Sequence, residues 1–453
     1  MHHKSQSEIL SDFAFSLDIK NIPPEVLALA KFCIIDTIGV SVFGSKFPWS
    51  QKILNYASAY GLGGKCQVLG HSNLRLHSPH AALVNGAFAH AFEQDSLRNP
   101  GAGVHPGATL FPPALALSQE LNTNGELLLK AFIASCEVMF RIGTASKHSS
   151  EKLGFHAPGL TGTYGASIAS GVVQGLDPFK LSNALGIAGS LSSGLLAFTK
   201  SARGSEVKRL HMGKACESGV MAARLALEGF EGPETILEGK FGFLDAFCSD
   251  SDPELLTKGL GTEWETLKIC MKSYPCHITA HPLIYSLNKM METHAFGSSE
   301  IASCELHVPE KVLSHHDIRK PRDIKQAQYS VPFCLAIAME YDALDPNIFN
   351  DDVVHDLKVI ENCQKIKLLP FTDNLKRSSW TSKISITLKN GSTITNESDF
   401  FLGSPSSPLS LVQLKNRFQN HTKSCNPETT ELWFNSFLDL ENLENFNELP
   451  DLI

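Results

Sequence analysis

Apolar positions recur at helical spacing over most of the first 267 residues, and strict alternation appears only later. Residues 22–44 open Ile-Pro-Pro-Glu and run apolar to Gly44, which predicts a helix with proline at its start and glycine at its end. Asp36 inside it reads as a capping or buried hydrogen-bonding group. The uncharged runs 81–89 and 108–117 predict buried helices, and over 125–146 Leu128, Phe132, Cys136 and Phe140 fall four apart on one helical face. Runs 162–173 and 178–196 predict a further pair, the second begun by Asp177-Pro178. Another helix is expected over 215–227, after a polar loop. Gly61-Leu-Gly-Gly-Lys65 lacks both the spacing and the preceding strand of a phosphate loop, and reads as a turn.

From residue 268 the pattern changes. A helix ending near Met291 precedes a strand-like stretch, Ile301–Val308. Residues 383–388 alternate Lys/Ser/Thr with Ile/Ile/Leu, and Asn390-Gly391 marks a hairpin before Thr393-Ile-Thr395. The chain is therefore expected to be mainly α. A large all-α helical domain built from both chain ends (1–267 and 402–453) carries a smaller inserted α+β domain (268–401). No internal repeat is visible.

Polar chemistry is concentrated at the breaks between these runs. From His90 to Gly107 the chain holds Glu93, Asp95, Arg98 and His105, among glycines that let backbone approach a ligand. Similar breaks hold Gly154-Phe-His156-Ala-Pro158, Glu206-Val-Lys208-Arg-Leu-His211 and Lys272-Ser-Tyr-Pro-Cys-His277. Burying such groups costs free energy, so clusters of them between core helices are candidate sites. His105 and His156 are the candidate base and acid, because imidazole titrates near neutrality. Lys208 and Lys272 are candidate pocket cations for an anionic substrate, with Arg98, His211 and His277 as further substrate-binding candidates. Glu93 and Asp95 are candidate catalytic carboxylates, or N-cap or ion-pair groups, and His211 serves equally well as a hydrogen-bonding group at a helix end. Any one of the eighteen histidines taken alone is a solvated or core side chain, and His281, Tyr274 and Cys276 read as structural.

Composition narrows the classes. A chain of 453 residues with 43% hydrophobic and 19% charged content is an ordinary globular protein of two or three domains. A net charge of −8 supplies no basic field for nucleic acid. Eleven scattered cysteines without a CxxC give no support for a zinc ribbon or iron–sulfur cluster, so no metal and no cofactor is expected. An odd cysteine count and no apolar leader at the start predict a cytoplasmic protein. The uncharged runs 157–176 and 181–199 have spanning length, but their Gly, Ser and Thr content predicts a tightly packed interior helix pair and no membrane partner. Serine-hydrolase and nucleotide-binding motifs are missing.

Taken in order, Ala30-Lys31…Asp36-x-x-Gly39…Gly44, Val84-Asn-Gly86…His90, Val104-His105-Pro106, Phe155-His156…Gly162-Thr-Tyr-Gly165, Asn183-Ala-Leu-Gly-Ile-Ala-Gly-Ser190, Lys208…His211-x-Gly213, Gly229-Phe-Glu-Gly-Pro233, Phe241-Gly-Phe243, Lys272-x-Tyr-Pro275…His281 and Leu388-Lys-Asn-Gly391 resemble the MmgE/PrpD family nearly end to end. Known members include 2-methylcitrate dehydratase, cis-aconitate decarboxylase and iminodisuccinate epimerase. The resemblance implies an all-α domain with an α+β lid domain, a homodimer, no metal or organic cofactor, and a small anionic carboxylate substrate. For decarboxylase members it implies site roles for His105, His156, Lys208, Lys272, His277 and His281. Their acidic D-x-D-D-T stands here as Glu93-Gln-Asp95-Ser-Leu97, their second-domain tyrosine falls near Leu313, and the loop before His105 is about two residues longer.

The expected activity is that of a cofactor-independent lyase, 2-methylcitrate dehydratase-like, working by His/Lys proton transfer next to a carboxylate. A carboxylate epimerase or cis-aconitate decarboxylase-like enzyme is the alternative, and a non-catalytic anion-binding member, favoured by Leu97 and Leu313, is the other.

Overall fold

The computed structural model describes residues 4–201, 205–373, 375, 377, 378 and 380–453. Residues 1–3 lie outside the described residues. The chain divides into two compact units, one of Met1–Ala91, Asp95–Met271 and Leu411–Ile453, the other of Phe92–Gln94 and Lys272–Ser410.

The first unit is a stack of helices. Its order is α1 Gln6–Ser16, α2 Pro24–Ser45, α3 Pro48–Gly61, α4 Ser78–Ala89, α5 Pro106–Leu121, α6 Gly125–Ala145, α7 Ala157–Val173, α8 Pro178–Leu191 and α9 Val207–Leu227. Proline opens α2 as expected, but the helix runs one residue past Gly44. Gly44 serves packing, since a Cβ there would lie 2.0 Å from the Phe88 carbonyl oxygen on α4. Asp36, buried in α2, accepts from Arg417 Nε at 2.6 Å and so ties the first part of the chain to the helix Leu411–His421. Asp177 caps α8 by accepting from the Lys180 amide.

Two sequence expectations fail here. Residues 61–65 are not a turn, because Leu62–Gln67 forms a strand, β1, paired antiparallel with β2 Arg75–Leu76. Gly64 packs against the Leu76 backbone, where a Cβ would meet its oxygen at 2.0 Å. The last helix of this set begins at Val207 rather than 215, so Lys208 and His211 are in its first turn and not in a preceding loop. The periodicity is hidden because α9 buries Lys208 and Arg209, which a hydropathy pattern assigns to the outside. A further strand pair, β3 Leu97–Arg98 with β4 Ile269–Cys270, is too short to show alternation.

Glycines bring the central helices together. A Cβ on Gly213 of α9 would lie 2.2 Å from the Leu83 oxygen on α4, and one on Gly219 would lie 2.3 Å from Ala166 on α7. The run 157–176 holds α7, buried along its whole length, with α8 beside it. The helix expected over 178–196 stops at Leu191, and Leu196–Lys200 is a separate short 3-10 turn with no buried residue, so the second run is a packed helix only in its first part. Among the described residues only Pro24–Ser45 is a helix long and apolar enough to cross a membrane, and 72% of its apolar window is buried, as in a core helix.

The second unit carries a four-stranded sheet in the order β6-β5-β7-β8, formed by β5 Ile301–Val308, β6 Ile366–Pro370, β7 Ser382–Leu388 and β8 Thr393–Ser398. β5 runs parallel to β6 and antiparallel to β7, and β7 and β8 form the expected hairpin. Burial alternates along β7, which is why its residues were legible as a strand. The helix His281–His294 covers β7 and β8.

Candidate active site

In the first unit, helix ends present the titratable groups. His90 follows the last turn of α4, and His105 precedes Pro106, which opens α5. Both rings turn to the loop residue Asp95, whose Oδ2 lies 2.9 Å from His90 Nδ1 and 2.6 Å from His105 Nδ1. The two rings meet edge to face at 4.9 Å. Burial would raise the Asp95 carboxyl, but the neighbouring imidazoles His90 and His105 and their hydrogen bonds hold it well below the usual carboxylate range. Burial pulls His90 down to about 4 against the attraction of Asp95, so its ring is neutral at pH 7. Asp95 is then a carboxylate accepting Nδ1–H from both rings, and the neutral His90 keeps a lone pair on Nε2. Among the described residues His90 Nε2 is buried without a hydrogen-bond partner, whereas the His105 side chain is 14% exposed. His105 Nε2 is thus the ring nitrogen of this group that a substrate can meet, in an orientation set by a carboxylate behind it.

Among the described residues, His90, Asp95 and His105 are also the group whose ligand atoms come within metal-binding reach, all within 4.8 Å of one another. Their 2.6 and 2.9 Å separations are hydrogen-bond lengths. Two ligands on a tetrahedral ion with bonds of about 2.0–2.1 Å stand roughly 3.3 Å apart. The arrangement fits shared protons better than a shared cation.

A second imidazole pair is built from α7 and α9. His156 precedes α7, its amide donating to the Gly194 carbonyl at 3.0 Å. His211, in the first turn of α9, places Nδ1 2.9 Å from His156 Nδ1. Lys208 lies three residues earlier on the same helix face and is buried. Burial first, and then the Lys208 charge, lower both imidazoles, with His156 well below its ordinary value. Protonation of His90 or His105 would lower His156 further. Phe198 stands edge-on to both rings of the pair, at 5.4 and 5.9 Å.

The second unit holds its own polar group. Glu93, at a left-handed φ of 57°, accepts from Tyr329 Oη at 2.7 Å and pairs with Lys272 Nζ at 3.2 Å. Glu93 and Lys272 are both buried, and a non-glycine residue held in that backbone region is strained, as happens at functional positions. The His277 ring stacks on His316 at 4.1 Å and lies 5.6 Å from Tyr329. His316 donates Nδ1–H to the Tyr329 carbonyl at 2.9 Å, and burial takes it down to about 4.

The structure therefore groups Asp95, His105, His156, Lys208 and His211 in the first unit, and Glu93, Lys272 and His277 in the second. Arg98 has a different use: its Nε donates to Glu265 at 2.7 Å and a terminal nitrogen to the Pro100 carbonyl, which anchors β3. His281 is buried, with Nε2 3.3 Å from the Cys276 carbonyl. Tyr329, His316 and the contact of His90 with Asp95 escape a sequence reading. The Glu93 and Tyr329 side chains meet across 236 positions, and no local pattern encodes that.

Residues 8–256 match the MmgE/PrpD N-terminal domain and residues 274–435 the MmgE/PrpD C-terminal domain. The cis-aconitate decarboxylases of Mus musculus and Homo sapiens are each 28% identical to the chain over 465 residues, covering 99% of it and 93% and 95% of their own lengths. That of Aspergillus terreus (strain NIH 2624 / FGSC A1156) is 30% identical over 296 residues, covering 62% of this chain and 59% of its own.

Proposed function

The chain belongs to the MmgE/PrpD family, and we propose that it is a lyase moving protons at a carbon next to a carboxylate of a small di- or tricarboxylate, with decarboxylation of cis-aconitate as the first reading. The observation that carries this is the presence in one unit of two imidazole pairs of unlike character beside a buried lysine. Loss of CO₂ from the saturated arm of cis-aconitate leaves an allylic carbanion, which needs a cation nearby and then a proton. Lys208 supplies the charge and an imidazole the proton. The names of the relatives move decarboxylation ahead of the dehydration expected from the sequence.

A second reading, dehydration or epimerisation, is favoured by the Asp95–His105 pair, because a carboxylate-oriented imidazole is a base and decarboxylation needs none for its first step. The test is incubation in D₂O with cis-aconitate and with 2-methylcitrate, followed by mass spectrometry. CO₂ with one deuterium in a five-carbon diacid supports the first reading. Water loss from 2-methylcitrate supports the second, as does deuterium exchange without change of composition. No exchange with any acid of the panel refutes both. The His105→Asn variant is expected to lose about 10²–10⁴-fold in kcat at unchanged fold, the usual contribution of a positioned acid–base group.

A further inference from the structure

We propose that His211 is a proton relay, passing a solvent proton through its shared Nδ1–Nδ1 hydrogen bond to His156, whose Nε2 exchanges protons with the substrate. The inference rests on the proton-transfer reading above and adds a role for His211 beyond binding. Its basis is the 2.9 Å contact between the two Nδ1 atoms, which requires that one ring donate Nδ1–H and the other accept. The arrangement is built rather than accidental. His211 is half-buried at the start of α9, while His156 is buried at the start of α7. Gly194 (φ +144) packs against both residues, and a Cβ there would lie 3.4 Å from His211 Nδ1 and 3.5 Å from His156 Cβ. A Cβ on Gly159 would lie 3.4 Å from His211 Cβ, so two glycines line this meeting point.

The surroundings say why a relay is needed. Lys208 faces the pair, and His90 and His105 lie within electrostatic reach of His156, all in a site where burial disfavours a charged imidazole. A neutral imidazole that gives up Nε2–H alone would become an imidazolate, a very poor outcome near pH 7. If His211 hands its Nδ1 proton to His156 Nδ1 as His156 Nε2–H leaves, and His211 Nε2 takes a proton from water, one solvent proton reaches the carbanion. Both rings then stay neutral with exchanged tautomers. Once the product has left, His156 Nε2 takes a proton from water as its Nδ1–H returns to His211 and His211 Nε2–H goes back to the hydroxide at its own end. This restores the starting tautomers, leaves one hydroxide per turnover for the released CO₂, and places no second positive charge beside Lys208.

The test uses the full chain in two measurements. Glutamine at position 211 keeps a side-chain N–H for His156 Nδ1 but cannot pass a proton through itself. His211→Gln is therefore expected to lose at least about ten-fold in kcat on cis-aconitate, with KM within about two-fold and the melting temperature unchanged. His211→Gln with wild-type kcat would mean that His211 is only a hydrogen-bond donor, and would overturn the relay. In ¹⁵N-histidine-labelled wild type, NMR should show one proton shared between two Nδ1 atoms and in exchange with water, a signal absent from His211→Gln. Its absence from wild type also overturns the relay. If wild type shows the shared proton but acts on no acid of the panel, the proposed substrate class fails, and the relay is judged on the NMR alone.

Discussion

At the scale of single residues, the two carboxylates of the Glu93-Gln-Asp95 stretch have parted company. Asp95 orients two imidazoles in the first unit, and Glu93 holds Tyr329 and Lys272 in the second. Glu93 is met by a tyrosine, Tyr329, whose hydroxyl lies 2.7 Å from its carboxyl. A hydrogen bond to a charged group is worth about 1.5–3 kcal/mol. Tyr329→Phe is therefore expected to lower the melting temperature by a few degrees and, by leaving Glu93 less well held, to lower kcat/KM about ten-fold or more. Wild-type kcat/KM in Tyr329→Phe would show the contact to be incidental. The residue types of the candidate set were legible because glycine and proline flank them in polar breaks. Their partners were not, since a hydrogen bond between distant positions leaves no local trace.

At the scale of elements, the site depends on how closely three helices cross. Gly213 sits one turn and a half beyond Lys208 on α9, with its Cα facing Leu83 of α4, and Gly86 of α4 answers it. A Cβ on Gly86 would lie 2.7 Å from Cys216 Sγ and 3.2 Å from the Gly213 Cα. Gly213→Ala must push these backbones apart, and overpacking of this kind costs about 1–3 kcal/mol. The expected result is a lower melting temperature together with reduced kcat, because the start of α9 carries Lys208 and His211. A variant as stable and active as wild type would show that α9 tolerates displacement. The sequence pattern located α4, α5 and α7 but began α9 late, because periodicity detects an apolar face and α9 turns lysine and arginine inward.

At the scale of the whole molecule, several buried histidines make stability a function of pH. His90 and His316 are held near 4 by burial, and His156 and His421 are also depressed below their ordinary value, again by burial first. For such a base the unfolded chain binds the proton more readily. Stability is then fully present above about 6.5, the unfolded value, and falls as pH drops toward 4. His90 alone contributes on the order of 3 kcal/mol across that window. The depressed Asp95 carboxyl acts in the same direction below the unfolded carboxylate value, about 3.9. The melting temperature is expected to be level from pH 8 to 7 and to fall steeply from 6.5 to 4, and a level curve through that range would refute this account. Sequence alone determined the mainly helical character, the stretch that holds the β7–β8 hairpin and the residue types at the breaks, because periodicity and turn chemistry are local properties of the chain. Only the tertiary structure decided which histidine pairs with which acid or imidazole, that Arg98 holds Glu265, and that Glu93 is met by Tyr329. Those choices depend on helix crossings set by glycines and on contacts spanning tens to hundreds of residues.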